Sequence, residues 1–301
     1  FIKQNRPILL GGSKKIFDNY FYETFKNYNP DFIFFGHTNN ISINMLEEFK
    51  TINRNLIMSQ WNEDPVMKGL QYSKSNINNI QKYSNTVDHN FLTTDPSVLV
   101  KQNIHIKNSK FFFVPVDKNI ECFDVYKLNT TKDLFYAMSH GVNRATLKRG
   151  KIDERINFLN KLIPGIRDIN YDFYGFENRE PIWGNNFYKA LIKSKMGLNL
   201  SRGKPTKYYT SNRIASLMGN GLLTYIDEKT QLLDIFNKNE IITYTDMNDL
   251  SEKINFYNKN DKTRKTIARN GQKKYFKLFN ELKTTKYIID VSFGVKNNLF
   301  N

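Results

Sequence analysis

The stretch Ser201 to Asp227, SRGKPTKYYTSNRIASLMGNGLLTYID, brings Arg202, Lys204, Lys207 and Arg213 close together in the chain. Among them lie Ser201, Tyr208, Tyr209, Ser211 and Asn212. Cations of this kind neutralise a diphosphate as charge develops on it, and the hydroxyls and amide suit phosphate or ribose oxygens. For any single residue of the set, ordinary packing or a solvated surface is the competing reading. Gly203 and Pro205 break the backbone, so the cations sit on a loop. Ser211 and Asn212 are N-cap types for a helix running from Arg213 to about Gly219, with small Ala215 and Ser216 for close packing. Met196 to Leu200 before the loop and Leu222 to Ile226 after the helix read as buried strands. A strand, a basic loop and a helix start together form a receptacle for an anion. Arg213 lies just inside that helix start, where the dipole disfavours a cation unless an anion is beside it. The anion is either a ligand phosphate or a salt-bridge partner such as Asp227 or Glu228.

A second basic cluster follows another apolar run. Ser139, His140, Gly141, Val142, Asn143 and Arg144 sit where a strand end turns into a loop, and Lys148, Arg149, Lys151 and Arg155 come soon after. Such a loop can approach a ligand closely; a solvated charge run is the alternative. Gly36-His37 and Trp61-Asn62-Glu63-Asp64-Pro65 each follow a strand pattern in the first half. His37 or Asp64 would bind hydroxyls or serve as a base, although a lone His after a strand is often a structural hydrogen-bonder. Scattered histidines with one cysteine make no metal site, and no Walker-type loop or GxSxG elbow is present.

These loops need strands and helices to hold them. Helical patterns at 15–28, 41–53, 76–83 and 96–102 alternate with strand patterns at 31–36, 56–61, 86–93 and 110–116. Residues 116–133 lack periodicity and read as a linker. A second series follows, with strands at 134–139, 172–175, 196–200, 222–226 and 240–244. Its helices fall at 151–162, 186–194, 213–219, 230–236, 248–258 and 261–279, and a last element at 284–291. The alternation implies α/β architecture with parallel sheets covered on both faces. We divide the chain at 125/126 into two Rossmann-like units, the first of them short. Ligands in such sheets bind at the carboxyl ends of the strands.

The 301 residues are 40% hydrophobic and 14% aromatic, which excludes a disordered chain. One cysteine excludes an internal disulfide. No apolar run approaches a membrane span and no signal-peptide pattern is visible, although a chain beginning at Phe1 leaves an earlier segment open. The net charge of +16 fits an anionic partner, or a Lys- and Asn-rich composition whose charge is spread over solvated faces. A non-catalytic basic protein binding nucleic acid or an anionic surface would interleave aromatics with Lys and Arg on one exposed platform. Here the basic residues gather instead at strand-to-helix loops, so no nucleic acid partner is expected.

A strand ending in Asn-Leu-Ser (199–201), a loop, Arg213 opening a helix, Gly221 closing it and a Leu-Leu-Thr strand resemble the group-1 glycosyltransferases, in particular the branch that includes spore-coat maturation proteins. The resemblance is good over about 134–279 and looser over 31–116. It implies the GT-B fold, two Rossmann-like domains facing across a cleft with the final helix crossing back. It also implies transfer of a sugar from a UDP- or GDP-sugar to a hydroxyl of a glycan or lipid-linked acceptor, in surface polysaccharide or glycolipid synthesis. The expected place is the cytoplasm or, with peripheral contact, the inner face of the membrane. In that family the loop after Ser139 faces the donor phosphates, which favours Arg144 and Arg155. The loop after the strand at 172–175 holds the nucleobase, with Phe176, Ile182 and Trp183 as candidates. The family's helix carries a glutamate for the donor ribose where this chain has Ser216; Ser216 or Ser211 would make a weaker version of that bond. The nucleotide-sugar is a substrate, so no cofactor is implied, and a site of Lys and Arg without paired carboxylates on the same loops is expected to need no metal.

Overall fold

A computed structural model describes residues 13–36, 41–69, 73–139 and 153–300. The apolar runs of the first half become four parallel strands, β1 (Phe32–Phe35), β2 (Ile57–Asn62), β3 (His89–Leu92) and β4 (Ser109–Phe111), side by side in chain order. Phe32 lies opposite Ile57, Ser59 opposite His89 and Asn90 opposite Ser109. Helices α1 (Ser13–Tyr28), α2 (Ile43–Ile52), α3 (Ser73–Tyr83) and α4 (Pro96–Lys101) connect them. The buried amides of Gln60 and Asn90 inside this sheet are paired: Gln60 Nε2 donates to Asn90 Oδ1 at 2.6 Å, and Asn90 Nδ2 to the Lys107 carbonyl at 2.5 Å.

The second half forms five parallel strands, β5 (Lys132–Ala137), β6 (Tyr171–Tyr174), β7 (Ser194–Leu198), β8 (Leu223–Asp227) and β9 (Ile242–Tyr244), in the order β6-β5-β7-β8-β9. Its helices are α5 (Glu154–Leu162), α6 (Gly184–Leu191), α7 (Arg213–Gly219), α8 (Met247–Lys259), α9 (Asp261–Phe279) and α10 (Glu281–Ser292). Between β5 and β7 the chain reverses its direction of travel across the sheet. A crevice at the carboxyl ends of two adjacent strands follows from that reversal.

The first sheet ends at Phe111 and the second begins at Lys132; the boundary expected at 125/126 falls in a 3-10 turn, Val125–Lys127. The stretch read as a linker is tied down at its start. Val116 N donates to the Phe279 carbonyl at 2.9 Å, and Glu281 N to the Val116 carbonyl at 3.0 Å. One buried cluster joins Phe91, Phe112 and Phe113 to Ile214, Phe236, Tyr275, Phe279 and Tyr287. Helix α10 returns to the first sheet, where the Ser59 and Ser292 hydroxyls share a buried hydrogen bond of 2.9 Å and Tyr287 Oη donates to the Phe111 carbonyl at 3.0 Å.

Three elements differ from the sequence expectation. The strand expected over 110–116 stops at Phe111, because Val114 and Val116 turn away to bond Tyr275 and the end of α9. The helix expected over 230–236 is two 3-10 turns broken at Gln231, whose φ of 55° is left-handed. Helix α6 ends at Leu191, and Ser194 already belongs to β7.

Gly271, inside α9, shows close packing overriding local preference. A Cβ there would meet the Glu240 carbonyl oxygen at 2.2 Å. Alanine is better than glycine in a helix by about 1 kcal/mol, whereas forcing an atom into a packed contact costs about 1–3 kcal/mol. Gly271→Ala is therefore expected to lower the melting temperature; an unchanged or raised Tm in a thermal melt would contradict the close approach.

Candidate active site

The carboxyl ends of β5 and β7 are joined by Arg213. Its Nε donates to the Ala137 carbonyl at 3.0 Å and its Nη1 to the Leu200 carbonyl at 3.0 Å. Nη1 also reaches Ser211 Oγ at 3.0 Å, and the guanidinium lies over the Tyr136 ring at 4.8 Å. All of these partners are neutral. Among the described residues no carboxylate pairs with Arg213, so the alternative of a salt bridge to Asp227 or Glu228 is not formed. Burial of the guanidinium pulls its pKa down from the ordinary value, as desolvation of an uncompensated cation must. Arginine nevertheless stays charged at neutral pH.

Helix α7 begins at Arg213 as the sequence indicates, but neither Ser211 nor Asn212 caps it through a side chain. Asn212 already has helical backbone angles, φ −52° and ψ −18°, so its side chain is poorly placed to reach the first amides. The Ser211 hydroxyl donates instead to Asn199 Oδ1 at 3.2 Å, and Ser211 N donates to Ser201 Oγ at 3.2 Å. The helix has seven residues. Side chains, rather than the helix end, carry the positive charge of the site.

Arg155 turns out differently from a phosphate ligand. Asp153 caps α5 and takes the Arg155 fork with both oxygens, Nε to Oδ1 at 2.9 Å and Nη2 to Oδ2 at 2.5 Å. Nη2 also bonds the Ser139 carbonyl at 3.0 Å. Arg155 and Asp153 are both buried, so the pair fixes the end of β5 against α5. Burial alone would raise the Asp153 pKa, but the hydrogen bonds and charge of Arg155 hold it below the usual carboxylate value. Arg202 extends the arrangement at 3.5 Å from Asp153 Oδ2.

Lys204 is exposed, and Lys207 reaches across to Asp95, the cap of α4, at 3.8 Å. Glu154 Oε1 accepts from Gly203 N at 2.6 Å and pins the basic loop to the start of α5. Tyr209 is buried. Burial raises its phenol pKa strongly, and the charges of Asp64 and Glu63 in the loop after β2 raise it further. Asp64 is thus an exposed acid of the first half near the basic loop of the second. His37, His140, Gly141 and Arg144 lie outside the described residues.

The nucleobase candidates are not brought together. Gly175, at φ 73°, turns the chain, and Phe176 packs into the core beside Phe173 with no face left to stack on. Trp183 precedes α6 and is 67% exposed. Ser216 lies beside Tyr188, whose hydroxyl donates to Glu121 Oε1 at 3.3 Å.

A cavity of about 240 Å³ opens beside these residues, lined in part by Glu154, Asn199, Ser201, Tyr209, Asp227 and Tyr244. Asn199, Asp153 and Asp227 were not legible as site residues. Asn199 ends an apolar strand run, and that misplaced amide is the one signal the sequence offered.

Comparison with known proteins now decides the fold. Residues 150–283 match the family described as glycosyl transferase-like. HepE of Anabaena, solved in complex with UDP, is 13% identical with a TM-score of 0.59; the alignment covers 93% of this chain and 82% of that one. Sucrose-phosphate synthase of Thermosynechococcus elongatus is 10% identical with a TM-score of 0.59, over 98% and 80% of the two chains. TarM of S. aureus, solved with UDP and alpha-GlcNAc-glycerol, is 13% identical with a TM-score of 0.57, over 82% of this chain and 53% of TarM. The fold is GT-B, and within it residues 150–283 are similar to the glycosyl transferase-like family. No curated protein matches the sequence, and nothing in these comparisons singles out the spore-coat branch. The matched span takes in α5, the basic loop and Arg213; β5, which receives Arg213, lies before it.

The pair between Asp153 and Arg155 gives a stability prediction. Asp153→Asn should destabilise the fold by about 3–5 kcal/mol, because it leaves a buried guanidinium without its counter-ion. In the wild type the folded carboxylate is depressed below an unfolded value of about 3.9. Its contribution is therefore complete above about pH 4 and lost as pH falls through the folded value. Denaturant melts of both proteins check this; a difference that persists unchanged below pH 3 would count against the pair.

Proposed function

We propose that this protein transfers a sugar from a UDP- or GDP-sugar to a hydroxyl of a glycan or lipid-linked acceptor. The observation that carries the reading is the Arg213 cation, held in the crevice between β5 and β7 by neutral groups alone. A donor diphosphate supplies the missing anion. Arg213 and Arg202, with Lys204 and Lys207 on the loop, then stabilise the charge that grows on the departing nucleoside diphosphate. Asp64, on the facing loop, is the candidate base for the acceptor hydroxyl. HepE and TarM, which share the fold, were solved with UDP. No helix among the described residues is long and apolar enough to cross a membrane; we place the reaction in the cytoplasm, with a lipid-linked acceptor reached by peripheral contact, in polysaccharide or glycolipid synthesis.

Arg213→Ala should weaken UDP or GDP binding by about 1.5–3 kcal/mol, the scale of a charge-assisted hydrogen bond. Lys259→Ala, at the exposed end of α8, should change little. Calorimetric titration of both variants decides the matter. Equal affinities, with only Arg213→Ala lowering the Tm, would make Arg213 a purely structural strut.

The cations of the loop take the role a divalent ion has elsewhere, so transfer is expected to proceed in EDTA. Turnover lost on chelation and restored by magnesium or manganese would overturn this.

A further inference from the structure

The protein carries a net charge of +16, yet the cavity behind the basic loop has acidic walls. Among the described residues its charged lining is Glu154, Arg155 and Asp227. Arg155 is already held by both oxygens of Asp153. The charge left to a ligand inside is that of two carboxylates, each using one oxygen on a backbone amide: Glu154 on Gly203 and Asp227 on Lys229. Carboxylates accept hydrogen bonds only. The remaining walls include the rings of Phe158 and Tyr244, 6.3 Å apart, and the buried Asn199 amide, whose Nδ2 has no hydrogen-bond partner among the described residues.

These features select a ligand chemistry. At about 240 Å³ the cavity is smaller than the ~300 Å³ at which pockets for whole ligands begin, so it admits one ring. A diphosphate is repelled by the two acids and belongs with Arg213 and the basic loop outside. Uracil offers one N–H donor, too few for both carboxylates, and the two fused rings of guanine exceed a cavity that admits one ring. A pyranose presents several hydroxyl donors to Glu154 and Asp227, apolar C–H faces to Phe158 and Tyr244, and ring or hydroxyl oxygens to the Asn199 amide. Tyr209 forms part of the wall and feels the charge of Asp64 and Glu63 from the opposite half, so a sugar there lies beside the acceptor side.

Resting on the donor reading above, we infer that this cavity takes the transferred sugar, and that its two carboxylates restrict the donor to neutral sugars. Uronic acid donors are rejected by like charge. Glu154, Asp227 and Asn199 are specificity residues on this account, and they take no part in neutralising the phosphates.

The test compares sugars that differ at C6 alone, a hydroxymethyl group against a carboxylate. UDP, GDP, UDP-glucose, UDP-glucuronate, GDP-mannose and GDP-mannuronate are titrated calorimetrically into the full chain. For whichever base binds, the neutral sugar nucleotide should bind at least about tenfold more tightly than its uronate counterpart, the size of a like-charge penalty at a partly open site. Asp227→Asn and Glu154→Gln keep the backbone hydrogen bonds through their amide oxygens and remove the charge, and each should narrow that ratio several-fold; circular dichroism confirms that they are folded. If neutral and uronate donors bind alike, or the ratio is unmoved in both variants, the sugar inference fails while the donor reading survives. If neither UDP nor GDP binds, the donor reading fails and takes this inference with it.

Discussion

A half-buried cation without a counter-ion is the constraint around which the second half is arranged. Arg213 spans the point where the strand order reverses, and it is held by the carbonyls that end β5 and follow β7. Those carbonyls are the groups a parallel sheet leaves unsatisfied at its carboxyl edge. By donating to them Arg213 stabilises the crevice, but neutral oxygens only partly replace the hydration the guanidinium loses. The free protein therefore holds a charge more favourably placed once an anion arrives. On the proposed donor reading, such preorganisation puts the electrostatic work of the diphosphate site into folding, so that no reorganisation is needed when leaving-group charge develops.

Neighbouring charges are sorted so that this one stays available. Asp153, the nearest buried acid, is occupied by Arg155 and lies at the edge of reach of Arg202. Glu154 is drawn to the Gly203 amide, and Asp95 is turned toward Lys207. A carboxylate beside Arg213 would neutralise it and compete with a phosphate. The helix that Arg213 opens has none at its start, and the position where a ribose-binding acid was expected holds Ser216, beside Tyr188.

Much of the fold was legible because it follows from periodicity. The alternation of short apolar runs with amphipathic segments placed every strand of both sheets within a few residues, and α7 was bounded at Arg213–Gly219 without error. The errors share a cause: tertiary contacts overrode a local pattern. From Phe111 to Val116 the run is apolar, yet only Ser109–Phe111 pairs, since its later residues bury against α9. Site residues were less legible for a related reason. Charge on a loop is visible in sequence, but whether a charge is free depends on partners distant in the chain. Arg155 and Arg213 look alike in a list of cations. One is matched by an acid two residues away, and the other meets carbonyls from residues 137 and 200. Phe176 illustrates the same limit, because the left-handed turn at Gly175 sends its ring into the core instead of toward a ligand.

The two adjacent tyrosines of the basic loop show how the halves are brought to bear on one site. Tyr208 is left-handed, at φ 57°, a conformation that costs a bulky residue on the order of 1–3 kcal/mol unless its surroundings hold it. Here they do. Its amide donates to the Thr230 carbonyl at 2.8 Å, its hydroxyl to Asp234 at 3.0 Å, and its ring packs against Phe111 at the end of the first sheet, 5.4 Å between centroids. Burial and then the bond to Asp234 push the phenol pKa up to about 12, so it remains a neutral donor. An extended residue at this position would not reverse the chain locally, and Tyr208 and Tyr209 would not meet such different surroundings. With the reversal, one ring is anchored against the first half while the other enters the cavity wall among Ser201, Pro205 and Thr230. The strain at Tyr208 therefore has a structural return: the basic loop is fastened to the first half at the same point where it lines the cavity.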